Sequence, residues 1–404
     1  MDDSPLRVRL LGALARALSM QGDHVDAITV RTKAIEMAHR IDDRRGLSEA
    51  LLHASWTAGE LSREELANAA GESRRLASEI GDLEIEVEAA LLHVSALLAL
   101  GDTGAARTQL AAAVDMARHA RQPFLLLVAQ EHVSAIALLE GRLTDAEAAA
   151  ERSHAWGRQL TSGHSSHSAD YGIQMFGIRR EQDRLAELAP IAQLLASDGW
   201  GDGVWQPARA ALFAELDMTG AVERELWEIS RTGLRPLRTP LWVASLTYLA
   251  DACSAVAHCD VAALVYPQLE HLSGYPIMVG YSVACYGAAD RYLGMLAAVL
   301  GDTDQAERHF AAAADLNRRM GAATWLARTL YEHGRMLIGG GEMDRADGLL
   351  VEALELADRT ELPAVLRRLR SLGESADGAH LPSLRDRLAL GVQFGTTKSA
   401  GSEG

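Results

Sequence analysis

With 404 residues, 48% of them apolar and 23% charged, the chain carries enough hydrophobic material for a large folded core and too much for a disordered protein. Its formal net charge of −16 repels phosphate backbones and argues against direct nucleic-acid binding. Cys253, Cys259 and Cys285, an odd number in so long a chain, argue against a disulfide framework and read as small buried apolar residues in a reducing compartment.

The start, MDDSPLRVRL, is acidic and has no signal-peptide apolar block. No apolar run approaches the roughly 18 residues of a membrane span, so the expected location is the cytoplasm, with no membrane partner. Leu10, Leu11, Leu14 and Leu18 then set the helical period of three and four, which persists along an Ala- and Leu-rich chain with few strand signals. The expected fold class is all-α. Breaks fall at Gly22-Asp23, Gly81-Asp82, Gly101-Asp102, Gly141-Arg142 and Gly301-Asp302, where glycine supplies a left-handed C′ residue and Asp or a following Thr caps the next helix. Asp302 with Gln305, and Thr144 with Glu147, have capping-box spacing.

After each break comes a small residue, with an apolar or long residue about four positions on and often Ala about seven on. The clearest copies are Ala306, Phe310 and Ala313; Ala346, Leu350 and Ala353; and Ala106, Leu110 and Ala113. Looser copies begin at Ala27, Ala67, Ala146, Ala186, Ala221 and Ala262. The interval of roughly 40 residues is a helix-hairpin period of the kind that builds solenoids, each pair burying its apolar face against its neighbours. Residues 1–374 are expected to form this repeat domain. Residues 375–404 are expected to hold one short helix around LPSLRDRLAL and a disordered polar tail.

Leu293-Gly294, Ala297, Ala306, Phe310 and Ala313 stand at tetratricopeptide spacing, and Gly334, Leu337, Ala346, Leu350 and Ala353 repeat most of it. From about residue 5 to residue 375 the chain resembles the tetratricopeptide-like C-terminal module of large bacterial signalling proteins. In those proteins the module follows a signal-transduction ATPase, with a LuxR-type DNA-binding domain or an adenylate cyclase elsewhere in the chain. The resemblance implies an α-solenoid, a right-handed superhelix of about nine hairpins. It also implies a non-catalytic sensor or scaffold that binds a peptide, protein or small effector in a concave groove and regulates an ATPase or transcriptional regulator. The sequence departs from the family in its longer period and in lacking the first Trp and the Tyr in many copies. A start at Met1 and a soft tail suit either an isolated domain or a complete small protein.

Motifs for chemistry are sparse. No GxxxxGK[ST] loop, GxSxG elbow, HExxH or calcium loop occurs, and no cofactor or enzymatic activity is expected. The Gly cluster DGWGDGVW, Asp198 to Trp205, follows a helical segment rather than a strand and reads as an inter-repeat loop. His154, His164 and His167 lack further ligands nearby and read as a polar loop rather than a metal site. Cys253 and the His258-Cys259 pair read as helix packing. Arg367, Arg368 and Arg370 read as a solvated helix face, with pairing to acidic partners as the alternative.

Five of seven Trp lie between Trp156 and Trp242 and seven of eight Tyr between Tyr171 and Tyr292, which reads either as gap filling in irregular repeats or as a binding surface. The tetratricopeptide register turns the first helix of each pair toward the groove. Its candidate contacts are Glu131, Tyr171, Met175, Arg179, Gln206, Thr247, Asp251, Arg291, Arg328, Tyr331 and Arg335, with Trp205 beside them. An alternative function is a stand-alone small-molecule-binding solenoid, sequestering or catalytic, walled by Trp200, Trp205, Trp242 and the tyrosines. Homodimerisation through terminal repeats is a further partner reading.

Overall fold

A computed structural model describes residues 3–20, 23–55, 62–160, 166–188, 205–235, 242–280, 282–375 and 380–395. The fold is all-α, with consecutive helices paired into a solenoid-like repeat. Backbone contacts divide the chain into two units. The first comprises Met1–Ile136, Ala146–Gln174 and Tyr281–Ala284; the second comprises Ala137–Asp145, Met175–Gly280 and Cys285–Gly404.

In the first unit, helix Pro5–Met20 pairs with His24–Arg40, Arg44–Ser55 with Arg63–Ile80, and Leu83–Ala99 with Thr103–Ala120. The turns follow the sequence chemistry. Gly81 takes φ +71° and closes the helix before it, and the Asp82 and Asp102 carboxylates accept the backbone N–H of Ile85 and Ala105. Ser62 and Glu65 form a full capping box. Among the described residues one helix, Pro123–Glu140, has the length and mean hydropathy, 1.3, of a membrane span, which the sequence reading did not expect. Two thirds of it is buried inside the protein, and it carries the buried polar residues Gln130, Glu131, His132 and Ser134.

In the second unit the repeat is most regular in helices Ala289–Val299, Thr303–Met320, Ala323–Gly339 and Met343–Arg359. The expected close approaches are present: a Cβ on Gly294 would lie 3.0 Å from the Phe310 ring, and one on Gly334 would lie 2.8 Å from the Leu350 side chain. Ala306, Ala313, Ala346 and Ala353 are fully buried between the paired helices. Asp302 accepts the Gln305 N–H, but the Gln305 side chain turns to His309 rather than back to Asp302, so the capping box is half made. Thr144 lies inside helix Leu143–Leu160 and is not its cap.

Three expectations fail locally. Ala186 is exposed on a short 3-10 turn, Leu185–Leu188, so it anchors no helix pair. A two-stranded sheet, β1 Pro276–Val279 with β2 Ala284–Ala288, interrupts the repeat. Pro267 inside helix Cys259–Leu269 removes a backbone donor near its end, and the chain leaves through Glu270–Leu272 into β1. Cys259 is exposed, whereas Cys253 and Cys285 are buried as expected.

The segment after residue 374 forms helix Pro382–Gly395, whose first turn is capped by a repeat residue. The Asp347 carboxylate accepts the backbone N–H of Ser383 and of Leu384, both at 2.9 Å. His164, Trp200, Asp198 to Val204, the His167 side chain and the tail beyond residue 395 lie outside the described residues.

Candidate functional site: a chain of buried ion pairs beside a cavity

Six helices of the repeat bring charged side chains together inside the second unit. Arg180 and Glu181 close the helix Ser166–Glu181; Glu215 ends Gln206–Glu215; Asp251 lies in Trp242–Val256 and Arg291 in Ala289–Val299. Arg328, Glu332 and Arg335 share one face of Ala323–Gly339 at spacings of four and three, and Arg368 comes from Pro363–Glu374.

These nine side chains alternate in sign. Arg291 Nη2 lies 2.9 Å from Asp251, whose other oxygen lies 2.7 Å from Arg180 Nη1. Arg180 Nε reaches Glu181 at 3.2 Å, and Glu181 also takes Arg328 Nε at 2.7 Å. Arg328 Nη1 reaches Glu215 at 3.3 Å, and Glu215 accepts a short bond from Arg368. Arg368 approaches Glu332 at 3.8 Å, and Glu332 ends the chain on Arg335 Nη1 at 3.1 Å. Every carboxylate thus faces two arginines. The two terminal arginines, Arg291 and Arg335, each face one carboxylate.

Burial makes the arrangement stringent, because an ion removed from water has to recover its solvation from partners. Arg180, Arg291 and Arg328 are at most 2% exposed. Burial works to raise the Asp251 carboxyl, but Arg291, Arg180 and Arg328 outweigh it and hold the group below its usual value. Glu215 is likewise opposed by burial and held far below the usual carboxylate range by Arg368, Arg328 and Arg180. Four buried guanidinium nitrogens, Arg180 Nη2, Arg291 Nε and Nη1, and Arg328 Nη2, make no hydrogen bond among the described residues.

Aromatic residues complete the setting. The Arg180 guanidinium lies 5.5 to 5.9 Å from the ring centres of Trp325, Phe176 and Tyr286, and Arg291 lies 4.7 Å from that of Tyr292. Trp325 Nε1 donates to the Cys285 carbonyl at 2.9 Å, and the Tyr248 and Tyr286 hydroxyls meet at 2.8 Å. Burial pushes the Tyr248 and Tyr292 hydroxyls up to about 12, and the Cys253 and Cys285 thiols also to about 12, so all four are protonated at neutral pH. Of the middle-chain aromatics, Tyr248, Tyr286 and Tyr292 are core that packs around arginines, whereas Trp227 is exposed and Trp205 and Trp242 are half-buried.

A cavity of about 380 Å³ opens beside this chain. Five of the nine charged residues, Glu215, Asp251, Glu332, Arg335 and Arg368, line it, with Asp217, Tyr331, Arg367, Ser254 and Ser371 between them and apolar surface from Ala255, Met295 and Leu372. The Tyr331 ring centre lies 5.9 Å from both Arg335 and Arg368. Arg335 is 44% exposed, whereas its partner Glu332 is almost fully buried. Arg367 is tied to Asp183 at 2.7 Å, so Arg367 and Arg368 are not the freely solvated helix face that the sequence suggested.

The expected groove set divides accordingly. Asp251, Tyr331 and Arg335 line the cavity together. Arg291 and Arg328 lie behind the wall, inaccessible to a partner on an open surface. Thr247 is buried and bonds the Ala244 carbonyl, Gln206 is buried against Glu225 and Glu228, and Met175 is buried. Arg179 bonds Gln182 and Glu187 at its helix end, and Trp205 and Trp242 are half-buried. Glu131 and Tyr171 belong to the first unit, where Tyr171 stacks on His154 with centroids 4.2 Å apart and Glu131 is buried near Asp170. His258 caps its helix, its Nδ1 accepting the Val261 N–H, a role that spacing alone had not suggested.

Sequence reasoning missed Arg180, Glu181, Glu215 and Glu332, and gave pairing with acidic groups only as the alternative reading for Arg368. No group of three or more metal-ligating side chains occurs among the described residues. The chain matches no protein-family model and no curated protein.

Proposed function

We propose that the chain is a non-catalytic sensor module whose effector site is the cavity in the second unit. The observation that carries this reading is the convergence of Tyr331, Arg335, Arg368, Glu215 and Asp251 on a space of about 380 Å³. That volume lies near the lower end of the range of small-molecule sites, and its polar groups are fixed by mutual ion pairs before anything binds. A small effector therefore suits it better than a peptide or a protein domain. The resemblance to signalling modules supplies the biological reading: effector occupancy in the repeat would report to an ATPase or transcriptional regulator, in the same chain or in trans.

Effector binding to the folded state stabilises it by RT ln(1 + [L]/Kd), so the melting temperature rises with the logarithm of effector concentration above Kd. A metabolite library screened by thermal shift against the intact chain, and against Ala255→Trp to fill the cavity, tests the proposal. Hits lost in Ala255→Trp support it. Hits that all survive the substitution place recognition elsewhere and refute the site.

A further inference from the structure

We propose that the cavity binds a small organic monocarboxylate with an apolar body, its carboxylate held by Arg335. This rests on the effector-site reading and names the ligand class that the charges select.

The first argument is charge balance. Five arginines alternate with four carboxylates, so the chain begins and ends on arginine and carries one positive charge in excess. At the buried end, Arg291 has the face of Tyr292 against it. At the open end, Arg335 lines the cavity and is held by Glu332 through Nη1, so Nε and Nη2 make no hydrogen bond to the described residues. Asp217 also lines the cavity and offsets that excess, so the selection at this end is made by the unbonded Arg335 donors, which one carboxylate satisfies.

The second argument is donor supply. Of the four lining carboxylates, Glu215, Asp251 and Glu332 each face two guanidinium groups already, so a cationic ligand there would have to displace an arginine from a buried pair, at the cost of a stranded charge. Only the exposed Asp217 is open to a cation, and hexylammonium as a probe reads that alternative. The cavity offers donors to an acceptor ligand: the Arg335 fork, which matches a carboxylate in two parallel bonds, and the hydroxyls of Ser254 and Ser371. The third argument is the rest of the lining. Ala255, Met295, Leu372 and the Tyr331 ring give an organic body apolar surface that a bare inorganic anion would leave wet.

The test uses the intact chain with hexanoate, benzoate, acetate, inorganic phosphate, hexanol and hexylammonium as probes in thermal shift and equilibrium titration. Hexanoate and benzoate are expected to stabilise the protein saturably, with acetate and phosphate weaker and hexanol and hexylammonium without effect. Arg335→Gln is expected to weaken hexanoate binding at least about tenfold, and Arg335→Lys, which keeps the charge and loses the fork, by less. Because Arg335 is half-exposed, neither change should unfold the chain; Ala255→Trp, which fills the cavity without touching an ion pair, gives an independent check by abolishing the response. Carboxylates that bind no better than hexanol or hexylammonium, or an unchanged hexanoate affinity in Arg335→Gln, would overturn the proposal. If hexanol or hexylammonium binds and Ala255→Trp removes it, the carboxylate class is wrong while the effector cavity stands. If Ala255→Trp alters the response to no probe, both readings fail.

Discussion

Arg328 places Nε 2.7 Å from one oxygen of Glu181 and 2.9 Å from the other, joining side chains 147 positions apart in sequence, both buried. The same guanidinium reaches Glu215 through Nη1, so one residue ties together helices Ser166–Glu181, Gln206–Glu215 and Ala323–Gly339. Arg328→Met leaves two buried carboxylates each short of a partner. A loss of about 3–5 kcal/mol in urea unfolding of the second unit is expected. Glu181→Met combined with Arg328→Met should cost less than the sum of the two single changes, since each alone strands the other's charge.

Acid should attack this unit first. Glu215 and Asp251 have folded-state pKa values held below their ordinary ones, so the folded state resists protonation that the unfolded chain accepts. Their stabilising contribution is complete above the ordinary values of 4.5 and 3.8 and is lost as pH falls below them toward the folded-state values. Melting temperature followed by near-ultraviolet circular dichroism, which reports the buried Trp325, should be flat near neutrality and drop steeply below about pH 4.5.

Glu131 in the first unit has the opposite sign. Burial, with Asp170 adding to it, raises its carboxyl well above the usual value, so the folded state binds a proton that the unfolded chain has released. Its favourable contribution is present below the ordinary carboxyl value and is lost as pH rises through the folded-state one. Glu131→Gln should therefore stabilise the first unit near pH 7, on the order of 1 kcal/mol or roughly 2–4 °C, and give no gain near pH 4. Thermal melts at the two pH values check this directly.

Gly287 has φ +68°, and a Cβ there would lie 2.4 Å from that of Trp325. Gly287→Ala combines left-handed strain with a clash against a buried ring, for an expected loss of about 2–4 kcal/mol and an altered Trp325 circular dichroism signal. Asp347→Ala removes the cap from Pro382–Gly395. A loss of about 1 kcal/mol with faster amide exchange in residues 383–386 is expected, leaving exchange in Ala323–Gly339 unchanged.

The repeat was legible because it is local. Gly294 with Phe310, and Gly334 with Leu350, are small-and-large pairs 16 residues apart, and helical periodicity turns them toward each other. The short strand Pro276–Val279 was not legible, because four residues give too little alternation to compete with a helical context. The ion-pair chain was illegible for a different reason. An arginine on an amphipathic helix ordinarily reads as surface, and its partners here lie up to 153 positions away. A usable signal was present nonetheless. Arg180 in MFGIRRE and Arg328 in WLARTLYEHG stand among large apolar or aromatic residues at helical spacing, where a solvated arginine is out of place. Tyr331, Arg335 and Asp251 were found by register; the cavity they share depends on helix ends that register does not fix.

The site is tested most directly by isothermal titration of hexanoate into the intact chain and into Arg335→Gln, in the same buffer and at low salt. The expected result is saturable one-to-one binding to the intact chain, weakened at least about tenfold by the substitution. Equal binding isotherms for the two proteins, or no saturable heat from the intact chain, would contradict it.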